Sequence, residues 1–174
     1  AGQYVPPRNV GNLKERIMAE GLATTSSAMV VSVEALKQVG GFDTALGNSV
    51  DHDFWMALAA AGFHHAAADE ALVLTHRRAG RQTMMKAPGP RLAGLDAFCD
   101  KWRGTWNDWM STQGGKRFES RYRARVRAML AGELARDGQY VKAVGISRSA
   151  LGRDCTGYAA RHLIKHWRRA LTGR

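Results

Sequence analysis

Val39-Gly40-Gly41-Phe42-Asp43, followed shortly by Val50-Asp51-His52-Asp53-Phe54-Trp55-Met56-Ala57-Leu58, is the stretch that decides how this chain is read. Ahead of it, Ser32-Val33-Glu34-Ala35-Leu36 opens a short helix. Ser32 is an N-cap residue, able to accept a hydrogen bond from a free backbone N–H, and Gly40-Gly41 is a natural stop. Beyond the glycines, Phe54, Trp55, Leu58 and Ala59 recur at helical spacing, which predicts a second helix over Asp51–Ala61, preceded by Ser49 and closed by Gly62. Two carboxylates, Asp51 and Asp53, stand at its start, where the helix dipole and free N–H groups stabilise exposed negative charge by ~0.3–1 kcal/mol. Being two residues apart, they point in different directions. One can face a cleft as a general base for a hydroxyl while the other braces the helix. A purely structural role for the pair is the competing reading.

Outward from this stretch, Thr24-Thr25-Ser26-Ser27 runs into Ala28-Met29-Val30-Val31, a short buried-strand signal. On the other side, Ala66–Ala68 and Ala71–Leu74 are apolar runs of strand length split by a turn at Asp69-Glu70. The order strand, helix, helix, strand is too short to bury a sheet on both faces, so it predicts part of a larger α/β layer.

At these residues the chain resembles the carboxyl-terminal half of a family 2 glycosyltransferase domain. Thr25-Ser26-Ser27, the Gly-Gly-Phe-Asp turn and Asp51-His52-Asp53-Phe54-Trp55 carry the likeness. It implies an incomplete GT-A, Rossmann-like α/β layer over residues 1–87 and an inverting transfer of sugar from a nucleotide-sugar donor to the hydroxyl of a glycan or lipid-linked acceptor. It places Asp51 at the catalytic base. Gly40, Gly41, Phe42, Asp43, Asp53 and Trp55 become acceptor-side or structural positions. Val50 stands where the family usually has Glu.

Further on, Asp69-Glu70-Ala71-Leu72-Val73-Leu74-Thr75-His76-Arg77-Arg78 resembles the family's closing segment. The resemblance implies diphosphate contact by His76, Arg77 or Arg78. Arg78 takes the usual His position, and a guanidinium neutralises phosphate without ligating a metal. A divalent metal, Mg or Mn, is expected in the intact parent. The likeness spans about residues 22–84. The family's amino-terminal half, which grips donor and metal, has no counterpart here, so the resemblance implies a fragment that does not transfer sugar alone. It also implies a cytoplasmic site of action, peripheral on the inner face of a membrane where lipid carriers present glycans.

Composition adds a second theme. The 174 residues, 45% of them hydrophobic, exclude wholesale disorder, and no run approaches the ~20 apolar residues of a membrane span. Residues 1–100 carry 9 basic and 10 acidic side chains; residues 101–174 carry 17 and 5. Such asymmetry suits an anionic partner for the second region, such as a lipid surface, a phosphorylated substrate or nucleic acid, or else a solvated Arg-rich face. Nucleic acid is disfavoured by the lack of a recognisable reader motif. A basic helical module for an anionic lipid surface or nucleic acid is thus the alternative function.

The charge shift follows Pro88-Gly89-Pro90, which breaks any helix or central strand and sets a boundary at 87/88. After it, Phe118, Tyr122, Val126, Met129, Leu130 and Leu134 form one helical stripe with Arg121, Arg125 and Arg127 off it and Arg123 at its edge. Asp137-Gly138 ends that helix and Gln139–Leu151 forms a hairpin partner. Tyr158–Leu171 is the sharpest amphipath, and its face of Ala159, Leu163, Ile164, Trp167 and Leu171 opposes Arg161, His162, Lys165, Arg168 and Arg169. Trp102, Trp106 and Trp109 are core residues, a stacking platform for bases or anchors at an interface. Cys99 and Cys155 form no CxxC pair, and His64-His65, pointing oppositely on an extended segment, make a poor zinc site.

Overall fold

A computed structural model describes residues 11–22, 26–68, 70, 72–73, 88–153, 164 and 167. The chain divides into two compact units, 1–79 and 80–174. The described part is mostly helical, with a small strand portion followed by an all-α region.

Among the described residues of the first unit the sheet is one antiparallel pair, β1 (Gly11–Asn12) with β2 (His64–His65), in the register Gly11↔His65 and Asn12↔His64. Asn12 also caps α1 (Leu13–Glu20), accepting the Glu15 N–H at 3.2 Å. Leu13 and Ile17 are buried on α1, which packs against α3 (Val50–Ala60) and its Phe54, Met56 and Leu58. Between them, α2 (Val33–Gln38) starts as its sequence demands: the Ser32 hydroxyl accepts the Ala35 N–H at 3.1 Å. It ends in Gly40 and Gly41 at φ 79° and 75°, a left-handed region where a side chain is strained.

The expected strands at Ala28–Val31 and Ala66–Ala68 are not formed. Ser26–Ala28 is one turn of 3-10 helix whose first carbonyl accepts the Met29 N–H at 3.2 Å, and Val30 is fully exposed. Among the described residues no strand runs beside it to take its N–H and C=O groups, and the run begins in a turn instead of extending. Ala66–Ala68 lie beyond the two-residue ladder. In the run expected over Ala71–Leu74, Leu72 and Val73 are 69% and 51% exposed, so no buried strand passes through them.

The second unit is built on α4 (Pro88–Arg136), which contains a reversal. Ser111 takes φ 66° and ψ 162°, and the residues before and after it form two antiparallel limbs. Pro88 and Pro90, expected to break structure, open the first limb, where a missing N–H costs no helical hydrogen bond. Pairings across the reversal fix the register. Arg123 holds Asp96 and, at 3.7 Å, Asp100, while Arg103 donates to Glu119 at 2.9 Å and Arg91 to Glu133 at 2.5 Å. Phe98 meets Tyr122 with ring centroids 5.1 Å apart, and Trp106 meets Phe118 at 5.2 Å. A third helix, α5 (Tyr140–Arg153), enters after the left-handed Gly138 and packs Ala143 and Ile146 against Leu130, Ala131 and Leu134.

Because the second limb faces both the first limb and α5, its buried face is wider than the expected stripe. Arg127, placed off the stripe by its spacing, is buried, and so is Arg123; Met129, placed on it, is 46% exposed. Trp102 and Trp106 are core. Cys99 is a free, buried thiol, and burial pushes its pKa up to about 12, which makes it inert. The expected amphipath Tyr158–Leu171 lies outside the described residues except for Ile164 and Trp167, which are helical and exposed.

Two measurements test this packing. A Cβ on Gly115 would stand 2.8 Å from the Asn107 backbone nitrogen, so the limbs would have to part. Gly115→Ala is expected to destabilise by about 1–3 kcal/mol in urea titration, against the gain of up to about 1 kcal/mol that a free helical site would show. Glu119 is desolvated, which raises its pKa, but hydrogen bonds from Arg103 and Arg123 outweigh this and hold it below the usual carboxylate range. A depressed carboxylate stabilises the fold above its unfolded pKa and loses that contribution as pH falls through the folded value. The melting temperature should therefore fall on acidification below about pH 4, less steeply in Glu119→Gln.

Candidate functional site

The Gly-Gly-Phe-Asp turn and the Asp-x-Asp helix are brought together by one aromatic contact. Phe42 and Phe54 lie with ring centroids 4.6 Å apart at 34°. The turn reaches α3 because Gly41 sends its N–H back to Leu36 O at 3.0 Å, folding the chain under α2. Asp43 Oδ1 then accepts the Ala45 N–H at 2.9 Å, starting the turn that leads to Ser49. Ser49 occupies the N-cap with φ 65° but makes no side-chain cap; instead Asn48 Oδ1 accepts its N–H at 2.8 Å.

The two carboxylates at the start of α3 have different surroundings. Asp53 is 2% exposed, whereas Asp51 is half-buried. Asp51 Oδ1 accepts the His52 N–H at 2.9 Å. Phe54 is three residues beyond Asp51 and Trp55 four, so Asp51 tops the ridge between these two rings.

On the Phe54 side is an apolar hollow of about 180 Å³ lined by Ser26, Met29, Val31, Leu36, Phe42 and Phe54. Asp51 is not part of its lining. The hollow joins the Gly-Gly-Phe-Asp turn to the Ser26–Ala28 segment, so three parts of the sequence likeness meet in one place. Met29, Val31 and Leu36 went unnoticed as site residues because their apolar side chains read as strand or helix core.

On the Trp55 side, Arg16 of α1 places its guanidinium 5.7 Å from the Trp55 ring centroid, and His65 of β2 meets the ring edge-on at 6.1 Å. His65 Nδ1 lies 3.0 Å from the Gly11 carbonyl oxygen, which only accepts, so Nδ1 carries the proton. Its Nε2 is buried without a hydrogen-bond partner. Residues 16, 55 and 65 are too far apart in sequence for spacing to link them.

His76, Arg77 and Arg78 lie outside the described residues. Among the described residues no three His, Cys, Asp or Glu side chains group to hold a metal ion. No helix of the described part is long and apolar enough to cross a membrane.

If the Phe42–Phe54 contact ties turn to helix, Phe42→Ala should cut the hydrogen-exchange protection of the first α3 amides by roughly 10-fold, the equivalent of about 1.4 kcal/mol lost from stacking and burial, while leaving α4 and α5 unchanged. Searches against protein-family models, curated proteins and solved structures return no match.

Proposed function

We propose that the first unit is the acceptor-side part of an inverting glycosyltransferase of the GT-A type, the rest of whose α/β layer belongs to an intact parent. The observation that carries this reading is the Phe42–Phe54 contact, which seats the Gly-Gly-Phe-Asp turn beside a helix whose first turn bears a half-exposed Asp51. The sequence likeness supplies the reaction; the geometry that supports it is a half-buried aspartate in the first turn of α3.

In this mechanism the acceptor hydroxyl gives its proton to Asp51 as its oxygen attacks the anomeric carbon. The bond from that carbon to the diphosphate oxygen breaks in the same step, and the nucleoside diphosphate leaves with inversion. Positive charge near the leaving group, assigned to His76, Arg77 and Arg78, stabilises the departing diphosphate. A divalent metal, held by the donor-binding part of the parent, would supply further neutralisation of the diphosphate charge. Asp53, being buried, positions the first turn of α3.

The test is parallel turnover and donor titration on the intact parent. Asp51→Asn keeps size and removes the proton acceptor, so kcat should fall by roughly 10²–10⁴-fold with nucleotide-sugar affinity unchanged. Asp53→Asn should chiefly lower the melting temperature. Near-normal turnover in Asp51→Asn ends the assignment, and a loss of donor binding moves Asp51 to the donor side.

A further inference from the structure

The second limb of α4 carries three arginines at four-residue intervals, Arg117, Arg121 and Arg125, all exposed. A rise of ~1.5 Å per residue sets them in one row about 12 Å long. Among the described residues none of the three makes an ion pair or hydrogen bond. On the same helix, Arg91, Arg103 and Arg123 are each held by a carboxylate. The positive charge of this unit is therefore partly consumed inside the bundle and partly left as an uncompensated outer row.

A cation row by itself suits any polyanion. Two further observations narrow the choice. Ile164 and Trp167, three residues apart on a helix and hence on one side of it, are 53% and 57% exposed. In the sequence they are interleaved with Arg161, Lys165, Arg168 and Arg169. Exposed Trp and Ile among cations suit a partner with an apolar phase under an anionic skin. By contrast, of the three tryptophans read as a stacking platform for bases, Trp102 and Trp106 are buried in the bundle and Trp109 is half-buried.

We propose that the second unit docks on an anionic phospholipid surface, with Arg117, Arg121 and Arg125 contacting headgroup phosphates and Trp167 with Ile164 entering the interface. Trp is suited to that depth because its ring is apolar and its N–H stays near water. Single arginines bind such a surface weakly, so the row acts as a set, and its attraction is screened within a Debye length. This docking is independent of the sugar chemistry proposed for the first unit.

The experiment is co-sedimentation of the full chain with phosphatidylcholine vesicles, with and without phosphatidylglycerol, at low and high salt. Binding should require phosphatidylglycerol and fall with salt. The triple variant Arg117→Gln, Arg121→Gln, Arg125→Gln should bind roughly 10–100-fold more weakly with unchanged circular dichroism, since Gln is also a good helix former. Trp167→Ser should weaken binding and abolish any vesicle-induced blue shift of tryptophan fluorescence. No pelleting at low salt, equal pelleting with neutral vesicles, or an undiminished triple variant overturns the proposal. So does tighter binding to single- or double-stranded DNA than to the anionic vesicles in the same buffer. The salt dependence of the unmodified chain decides the matter even if the triple variant misfolds.

Discussion

Arg123 is 7% exposed and carries a full charge, so the second unit is built around the need to satisfy it. Its guanidinium takes Asp96 and Asp100 from the first limb of α4 and Glu119 from its own limb. Desolvation works against the charge, but the hydrogen bond to Glu119 and the surrounding carboxylates outweigh it, and the group stays protonated with its pKa raised. Leaving such a charge without its partners costs about 3–5 kcal/mol, a large share of the stability of a small domain. A slip of the limbs by one turn would cost Arg123 at least one of Asp96 and Asp100, which stand one turn apart, and would move Gly115 from its close approach to Asn107. Apolar packing of Phe98, Trp106, Phe118 and Tyr122 supplies the bulk of the attraction; the ionic cluster selects the register.

The first unit rests on a different balance. Two-residue strands contribute little, and its order comes from α1 against α3, with Leu13, Ile17, Phe54, Met56 and Leu58 buried between them. Around α2, apolar side chains remain in water: Val30, Val33, Leu36 and Phe42 are all more than a third exposed. A segment with this much uncovered apolar surface has its backbone set by caps and glycines more than by burial, which is why Ser32, Gly40 and Gly41 matter to the position of Phe42. The proposed site therefore sits on the part of the unit with the least packing behind it.

Helices with punctuation were legible in the sequence. Ser32 and Gly40-Gly41 bracket α2, and Asp137-Gly138 separates α4 from α5 as read. The different surroundings of Asp51 and Asp53 agree with their spacing of two. Strands were not legible, since an apolar run such as Ala28–Val31 becomes a strand only if another edge pairs with it, and that condition is written elsewhere in the chain. The reversal at Ser111 was missed because Gly114-Gly115, a glycine pair like the one that stops α2, follows the turn inside the second limb instead of ending the first. Arg127 was misplaced for a geometric reason: a helix with two neighbours buries more than one stripe. The grouping of Arg16, Trp55 and His65 depends on β1 pairing with β2 and has no local signal at all.

The reversal at Ser111 also sets an order of assembly. Contacts across it nest one inside another, from the close approach of Asn107 and Gly115 out to Arg103–Glu119, Arg123–Asp96 and Arg91–Glu133, with separations of 16, 27 and 42 residues for these three ion pairs. Loop-closure entropy grows only with the logarithm of loop length, so each contact that forms shortens the loop the next must close to a few free residues. Such a hairpin can zip outward from its tip, with low contact order and the speed that accompanies it. Glu119 and Arg103 close early; Arg91, at the open end, closes late. Substitutions near the tip should consequently be felt in the rate of folding, and those near the open end in the rate of unfolding.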